Sequence, residues 1–135
     1  MTFMFAAIRQ SLRRRKLAQH APDPALFARV VRFFPALYGM DEATGERLYQ
    51  RTTEILADKE FQGAAGLELA PEEHLAVAVL AALPVLQLGT DWYRHFHTFI
   101  IYPSGFFADY EEADEAGVVH RGRDLRAGEA WAHGL

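Results

Sequence analysis

The most apolar stretch of the chain is residues 75–88, which only Pro84 and Gln87 interrupt. This run is shorter than the ~18 apolar residues that a membrane-spanning helix requires. The preceding Pro71 is a favourable first residue for a helix, and Gly89 is suited to end one. A helix that is apolar on nearly every side must be covered by other elements. We therefore predict that the chain folds around a central, buried helix.

Two amphipathic helices are predicted before this central helix. Asp23 places a capping carboxylate in front of Pro24, which favours a helix start, and Asp41 opens the second helix in a similar way. Gly39 is positioned to end the first of them. Apolar residues then recur at helical spacing. The predicted buried stripes are Leu26, Phe27, Val30, Val31, Phe34 and Leu37 in the first helix, and Leu48, Ile55, Leu56 and Phe61 in the second.

The chain changes character after the central helix. Residues 98–102 are β-branched and aromatic and are followed by Pro103, a pattern that predicts a strand. Residues 118–120 begin a second predicted strand. The five carboxylates within residues 109–115 lack the pattern of a calcium-binding loop, so we predict a solvated acidic loop there. Three helices followed by a short sheet predict an α+β fold.

Charge is distributed unevenly along the chain. Residues 1–22 carry five basic side chains and no acid, although the whole chain has a net charge of -4. A nucleic-acid-binding domain spreads positive charge over a folded face, so we predict no nucleic-acid partner. The order of apolar and then basic residues is the reverse of a secretory signal.

We therefore predict that residues 1–22 form a basic helical leader whose charges face water. An amphipathic helix on a membrane surface is the alternative. No apolar run is long enough for stable membrane insertion. We accordingly expect a soluble, cytoplasmic protein.

Several kinds of catalytic site are excluded by composition and spacing. The chain has no cysteine, so it has no disulfide, thiolate metal site or cysteine nucleophile. Gly63 and Gly66 form a glycine-rich segment, but a nucleotide-binding loop needs a lysine after it, so we predict a tight turn. Ser11 lies in the leader, and Ser104 lacks the glycine two residues earlier that a nucleophile elbow requires.

A metal site is the stronger candidate. His95 and His97 are two residues apart, so on a strand both imidazoles would lie on one face, with His74 or a carboxylate as a third ligand. The alternative is a pair of partly exposed histidines beside Trp92. The metallopeptidase pattern His-Glu-x-x-His does not occur. The residues taken by themselves assemble no active site.

Residues 59–69 read Lys-Glu-Phe-Gln-Gly-Ala-Ala-Gly-Leu-Glu-Leu. This passage resembles the motif E-K-x-F-x-G-x-x-G-L-x-L of the Mlc titration factor A family, cytoplasmic bacterial zinc peptidases. Further matches follow in the same order as in the family. They are Leu88-Gly89, Trp92-Tyr93, Ile101-Tyr102-Pro103, the segment 114–120 and Gly128-Glu129-Ala130-Trp131.

The resemblance implies a zincin-type α+β fold, zinc and aminopeptidase-like activity in full-length members, and binding of the glucose-responsive repressor Mlc. In the family, the His-Glu-x-x-His helix, the catalytic glutamate and the further acidic ligand all follow the Gly-Glu-x-Trp passage. We therefore expect no catalytic, cofactor-binding or metal residue in this chain.

On this interpretation, residues 23–135 are the N-terminal portion of a single zinc-peptidase-like domain. We expect this fragment to be inactive alone, with a peptide substrate only when the catalytic half is present. The alternative is a stand-alone, non-enzymatic module that contacts a transcriptional repressor.

Overall fold

The computed structural model describes residues 2–103, 106–113 and 115–126. Short 3-10 turns lie at Pro35–Leu37 and Thr90–Tyr93. The helices and strands of this part of the chain are, in order, α1 (Thr2–His20), α2 (Pro24–Val31), α3 (Glu42–Asp58), β1 (Glu60–Gly63), α4 (Pro71–Ala82), β2 (Thr98–Ile101), β3 (Phe106–Ala113) and β4 (Val119–Arg126).

The strands form two separate pairs. β1 and β2 are parallel, and their register runs from Glu60 opposite Thr98 to Gly63 opposite Ile101. β3 and β4 are antiparallel neighbours. Helices combined with these short sheets confirm the predicted α+β class, although β1 lies between α3 and α4 and does not follow all the helices.

Side-chain caps fix the predicted starts of α2 and α3. The Asp23 carboxylate accepts a hydrogen bond from the backbone N–H of Leu26 at 3.0 Å. The Asp41 carboxylate accepts one from the backbone N–H of Thr44 at 2.7 Å, and this bond lowers the pKa of Asp41. Both caps satisfy a backbone donor that has no partner within the helix.

Prolines end α2 and α4 earlier than predicted. α2 stops at Val31 because Phe34, which precedes Pro35, adopts an extended conformation that a helix excludes. α4 ends at Ala82, because Pro84, two residues later, has no N–H to donate to the helix. The backbone there continues with i→i−3 bonds, such as Val85 to Ala82 at 3.2 Å.

The core lies where α4 packs against α2 and α3. Val30, Leu48, Ile55 and Val79 are almost fully buried there. The opposite face of α4 is open among the described residues, since Leu80 is 48% exposed. α4 is therefore central, as predicted, but Leu80 leaves it incompletely covered among the described residues.

Phe61 lies on β1 and not on the helix stripe to which the sequence assigned it. It is half-buried, and its ring stacks on Phe99 of β2 with centroids 5.2 Å apart. The predicted tight turn follows directly, closed by a hydrogen bond from the Leu67 N–H to the Ala64 carbonyl at 3.1 Å. The turn follows a strand, whereas the sequence placed it after a helix.

The predicted acidic loop is wrong for residues 109–113, which belong to β3. The register places Asp109 opposite Arg123 and Glu111 opposite Arg121. The start of β4 at Val119 agrees with the predicted second strand, and Asp114 lies outside the described residues.

Within the basic leader, Thr2–His20 form α1, which contains no buried residue. It packs along α3. Among the described residues, no helix combines the length and apolar character that crossing a membrane demands.

Candidate functional site

A cleft of about 250 Å³ opens between α1, the end of α3 and the 3-10 turn Thr90–Tyr93 with the residues that follow it. Charged groups of both signs line it. They include Arg13, Glu54, Asp58, Lys59 and Asp91, and the His97 imidazole lines the same cleft. The sequence singled out only His97 among these as a candidate site residue, because the others are far apart in the chain.

Arg13 closes one side of the cleft. Its guanidinium donates two hydrogen bonds to the Asp58 carboxylate at 2.5 and 2.8 Å, and Lys16 Nζ lies 3.6 Å from the same carboxylate. The bond from Arg13 lowers the pKa of Asp58, and the bond to Asp58 raises that of Arg13. Two of the five leader charges therefore contact the body of the protein, whereas the sequence predicted that all of them face water.

The Glu54 carboxylate accepts hydrogen bonds from two side chains, Arg51 and Thr90. Arg51 Nη1 donates to its two carboxylate oxygens at 3.1 and 3.2 Å, and Thr90 Oγ1 donates to it at 3.0 Å. Arg51 Nε also donates to the Leu86 carbonyl at 3.2 Å. This network joins α3 to the segment that follows α4, and it uses both oxygens of Glu54 in structural contacts.

Lys59 occupies the position of the motif lysine. Its Nζ donates to the backbone carbonyls of Tyr93, at 2.5 Å, and Phe96, and it lies 4.6 Å from the centroid of the Phe96 ring. Burial lowers its pKa. Next to it, the Glu60 N–H donates to the His97 carbonyl at 2.8 Å. Lys59 therefore holds the turn that leads into β2.

The three candidate histidines lie in different settings. His95 and His97 precede β2, so the strand geometry expected to align their imidazoles is wrong. His74 lies in α4, with its ring 4.4 Å from the Phe61 ring. Its Nε2 is buried without a hydrogen-bond partner among the described residues, and burial lowers the pKa of the imidazole.

Residues 8–135 match the family described as Glucose-regulated metallo-peptidase M90. The chain belongs to this M90 family. The Mlc titration factor A proteins of Klebsiella pneumoniae and Yersinia pestis are each 36% identical to it over 100 residues, or 74% of this chain. These matches cover 38% and 37% of the two relatives, so the chain spans less than two fifths of their length.

The M90 family implies a metal in full-length members. Within residues 2–103, 106–113 and 115–126, no three histidine or carboxylate side chains are grouped so that they could hold a metal ion. His74, His95 and His97 are not assembled into such a group. The described residues therefore do not fit the metal that the family implies. Ser11 lies in α1, while Ser104 and the segment 128–131 lie outside the described residues.

Proposed function

We propose that residues 23–135 form the N-terminal portion of a single M90 zinc-peptidase domain and supply its scaffold, with no catalytic group of their own. The open face of α4 carries this proposal. Leu80 of α4 is 48% exposed, and Leu88, which follows α4 in the same apolar segment, is 63% exposed. Covering such surface stabilises by about 25 cal/mol per Å² of apolar area. On this proposal, the remainder of an M90 domain covers this apolar surface.

The polar groups of the cleft support the same proposal. Glu54 and Asp58 already accept hydrogen bonds from protein donors, and Lys59 donates to backbone carbonyls. Each of these side chains makes a contact that joins parts of the chain that are distant in sequence, and together these contacts fix α1, α3 and the turn before β2. On this proposal, zinc binding and peptide hydrolysis belong to the full-length family members.

A chimera tests this scaffold role. The matched part of the Klebsiella pneumoniae relative is replaced by this chain, and zinc content and hydrolysis of aminoacyl p-nitroanilides are measured beside this chain alone. We expect zinc and hydrolysis in the chimera and neither in the chain alone. Leu80→Asp should lower the thermal stability of the chimera more than that of the chain alone, because only the chimera covers this face. Stoichiometric zinc with hydrolysis by the chain alone contradicts the proposal.

The second candidate is a stand-alone binding module for an Mlc-type transcriptional repressor in the cytoplasm. The name of the relatives, Mlc titration factor A, favours it, as does the core that α2, α3 and α4 already share. This candidate requires cooperative unfolding of the isolated chain and saturable binding of the repressor by calorimetry. Trp92→Ala changes a side chain that is 63% exposed, and its repressor binding is compared with that of the unchanged chain. A molten chain without cooperative unfolding rules this candidate out.

A further inference from the structure

α1 presents an apolar stripe that nothing in the described structure covers. Met4, Phe5, Ile8 and Leu12 are 71%, 62%, 50% and 58% exposed. A helix turns by about 100° per residue, so these four positions fall within one side of α1, whereas Phe3, which is 91% exposed, falls on the opposite side. Large apolar side chains that share an exposed helix face mark a surface for an apolar partner.

The stripe faces away from the body of the protein. The half-buried positions of α1 are Arg13 and Leu17, which are four residues apart and lie together on another side of the helix. Arg13 is held there by its two hydrogen bonds to Asp58. The attachment to α3 therefore fixes α1 with its apolar stripe outward.

The charge of α1 identifies the chemistry of the partner. Within the described residues, Arg9, Arg14 and Arg15 form no ion pair or side-chain hydrogen bond. Residues 1–22 contain no acid that could neutralise them. Two copies of α1 packed through the stripe would bring like charges together, which disfavours self-association. A nucleic acid would satisfy the arginines but leave the stripe in water.

We propose that α1 docks on the surface of an anionic phospholipid bilayer. The apolar stripe enters the boundary between headgroups and acyl chains, while Arg9, beside the stripe, and Arg15, one turn beyond Leu12 on the stripe side, extend to the lipid phosphates. An amphipathic helix binds in this way through buried apolar area together with attraction to anionic lipid. This is association at the surface, for which a spanning helix is not needed. It is independent of the scaffold role proposed above.

Co-sedimentation with vesicles tests the docking. The full chain is mixed with vesicles of phosphatidylcholine containing phosphatidylglycerol, and separately with vesicles of phosphatidylcholine alone. We expect binding to the anionic vesicles that weakens as salt is raised. Phe5→Asp should weaken this binding roughly tenfold or more, because one large apolar side chain leaves the bilayer and a like charge faces the lipid.

Phe33→Asp is the matched control, since Phe33 is 75% exposed but lies outside α1. It should leave vesicle binding unchanged, and circular dichroism verifies that both variants remain helical. Three results overturn the proposal: no binding to anionic vesicles, equal binding to neutral vesicles, or equal losses in the two variants. A dimer that Phe5→Asp dissociates, in a chain that ignores vesicles, would assign the stripe to a second copy instead.

Discussion

The Arg13 guanidinium and the Asp58 carboxylate form a two-point contact, with hydrogen bonds of 2.5 and 2.8 Å, that fastens α1 to the end of α3. The two side chains are 41% and 31% exposed, so water screens the pair. Since α1 has no buried residue, this contact does much to set where the helix lies. The same contact forms one wall of the charged cleft.

Asp58→Asn is expected to loosen α1 and to leave the core intact. Partly exposed ion pairs contribute up to about 1 kcal/mol, so the loss of global stability should not exceed that value. In the wild type, local opening of α1 must break the pair between Arg13 and Asp58. In the variant this free-energy cost is absent, so amide hydrogen exchange in α1 should accelerate. Arg14→Ala, which removes an arginine from the same helix, is the control and should leave exchange unchanged. Unaltered exchange in Asp58→Asn would show that other contacts hold α1.

Acid should loosen α1 in the same way. The bond from Arg13 lowers the pKa of Asp58 in the folded protein below its ordinary value of 3.8. The pair therefore contributes its full stability above about pH 4 and loses it as pH falls through the folded pKa. Hydrogen exchange in α1, corrected for the intrinsic effect of pH, should rise in acid in the wild type. If Asp58→Asn shows the same rise, another carboxylate is responsible.

Local chemistry made part of the fold predictable from the sequence. The starts of α2 and α3 depend on Asp23 and Asp41, whose carboxylates bind backbone groups three residues away. β1 was not predictable, because Glu60–Gly63 becomes a strand only by pairing with β2. The acidic residues of β3 misled the prediction for the same reason, since the basic segment that pairs with them lies beyond a turn.

The candidate site was less predictable than the fold. Arg13, Glu54 and Asp58 carry no motif, and each finds a partner that is distant in sequence. The only signal was the family resemblance at residues 59–69, which marks Lys59 but does not reveal its contacts. The two-residue spacing of His95 and His97 suggested a metal pair only on the assumption of a strand, which begins one residue later, at Thr98.

His74 should make stability depend on pH near neutrality. Burial lowers its pKa in the folded protein below the ordinary value of 6.5, so the unfolded chain binds the proton more readily. The contribution of the neutral His74 side chain to the free energy of unfolding is complete above about pH 6.5. It is lost as the pH falls from there towards the pKa of His74 in the folded protein. Urea unfolding at pH 8 and pH 5 measures the effect. His74→Phe, which keeps a ring against Phe61, should reduce the difference, whereas exposed His95→Gln should not.

Lys59→Met tests the anchor of the turn before β2. Methionine retains an apolar stem but donates no hydrogen bond, so the Tyr93 and Phe96 carbonyls lose their side-chain partner. Leaving such groups unpaired costs about 1–3 kcal/mol, to be measured by urea unfolding. The chain offers a matched control in Lys16→Met, which should change stability by less than about 0.5 kcal/mol. Equal effects in the two variants would contradict the role of Lys59.

Two glycine-to-alanine substitutions are expected to act in opposite directions. A Cβ at Gly63 would collide with the Leu67 carbonyl oxygen, so the turn after β1 must shift to admit it. We expect Gly63→Ala to destabilise by about 1–3 kcal/mol.

At Gly45, in α3, the nearest atom to an added Cβ is Met40 Cε at 3.9 Å, an ordinary contact. Alanine is there the better helix former, by up to about 1 kcal/mol. Urea midpoints that move down for Gly63→Ala and up for Gly45→Ala would verify both environments. A neutral Gly63→Ala would show that the backbone does not approach so closely at this turn.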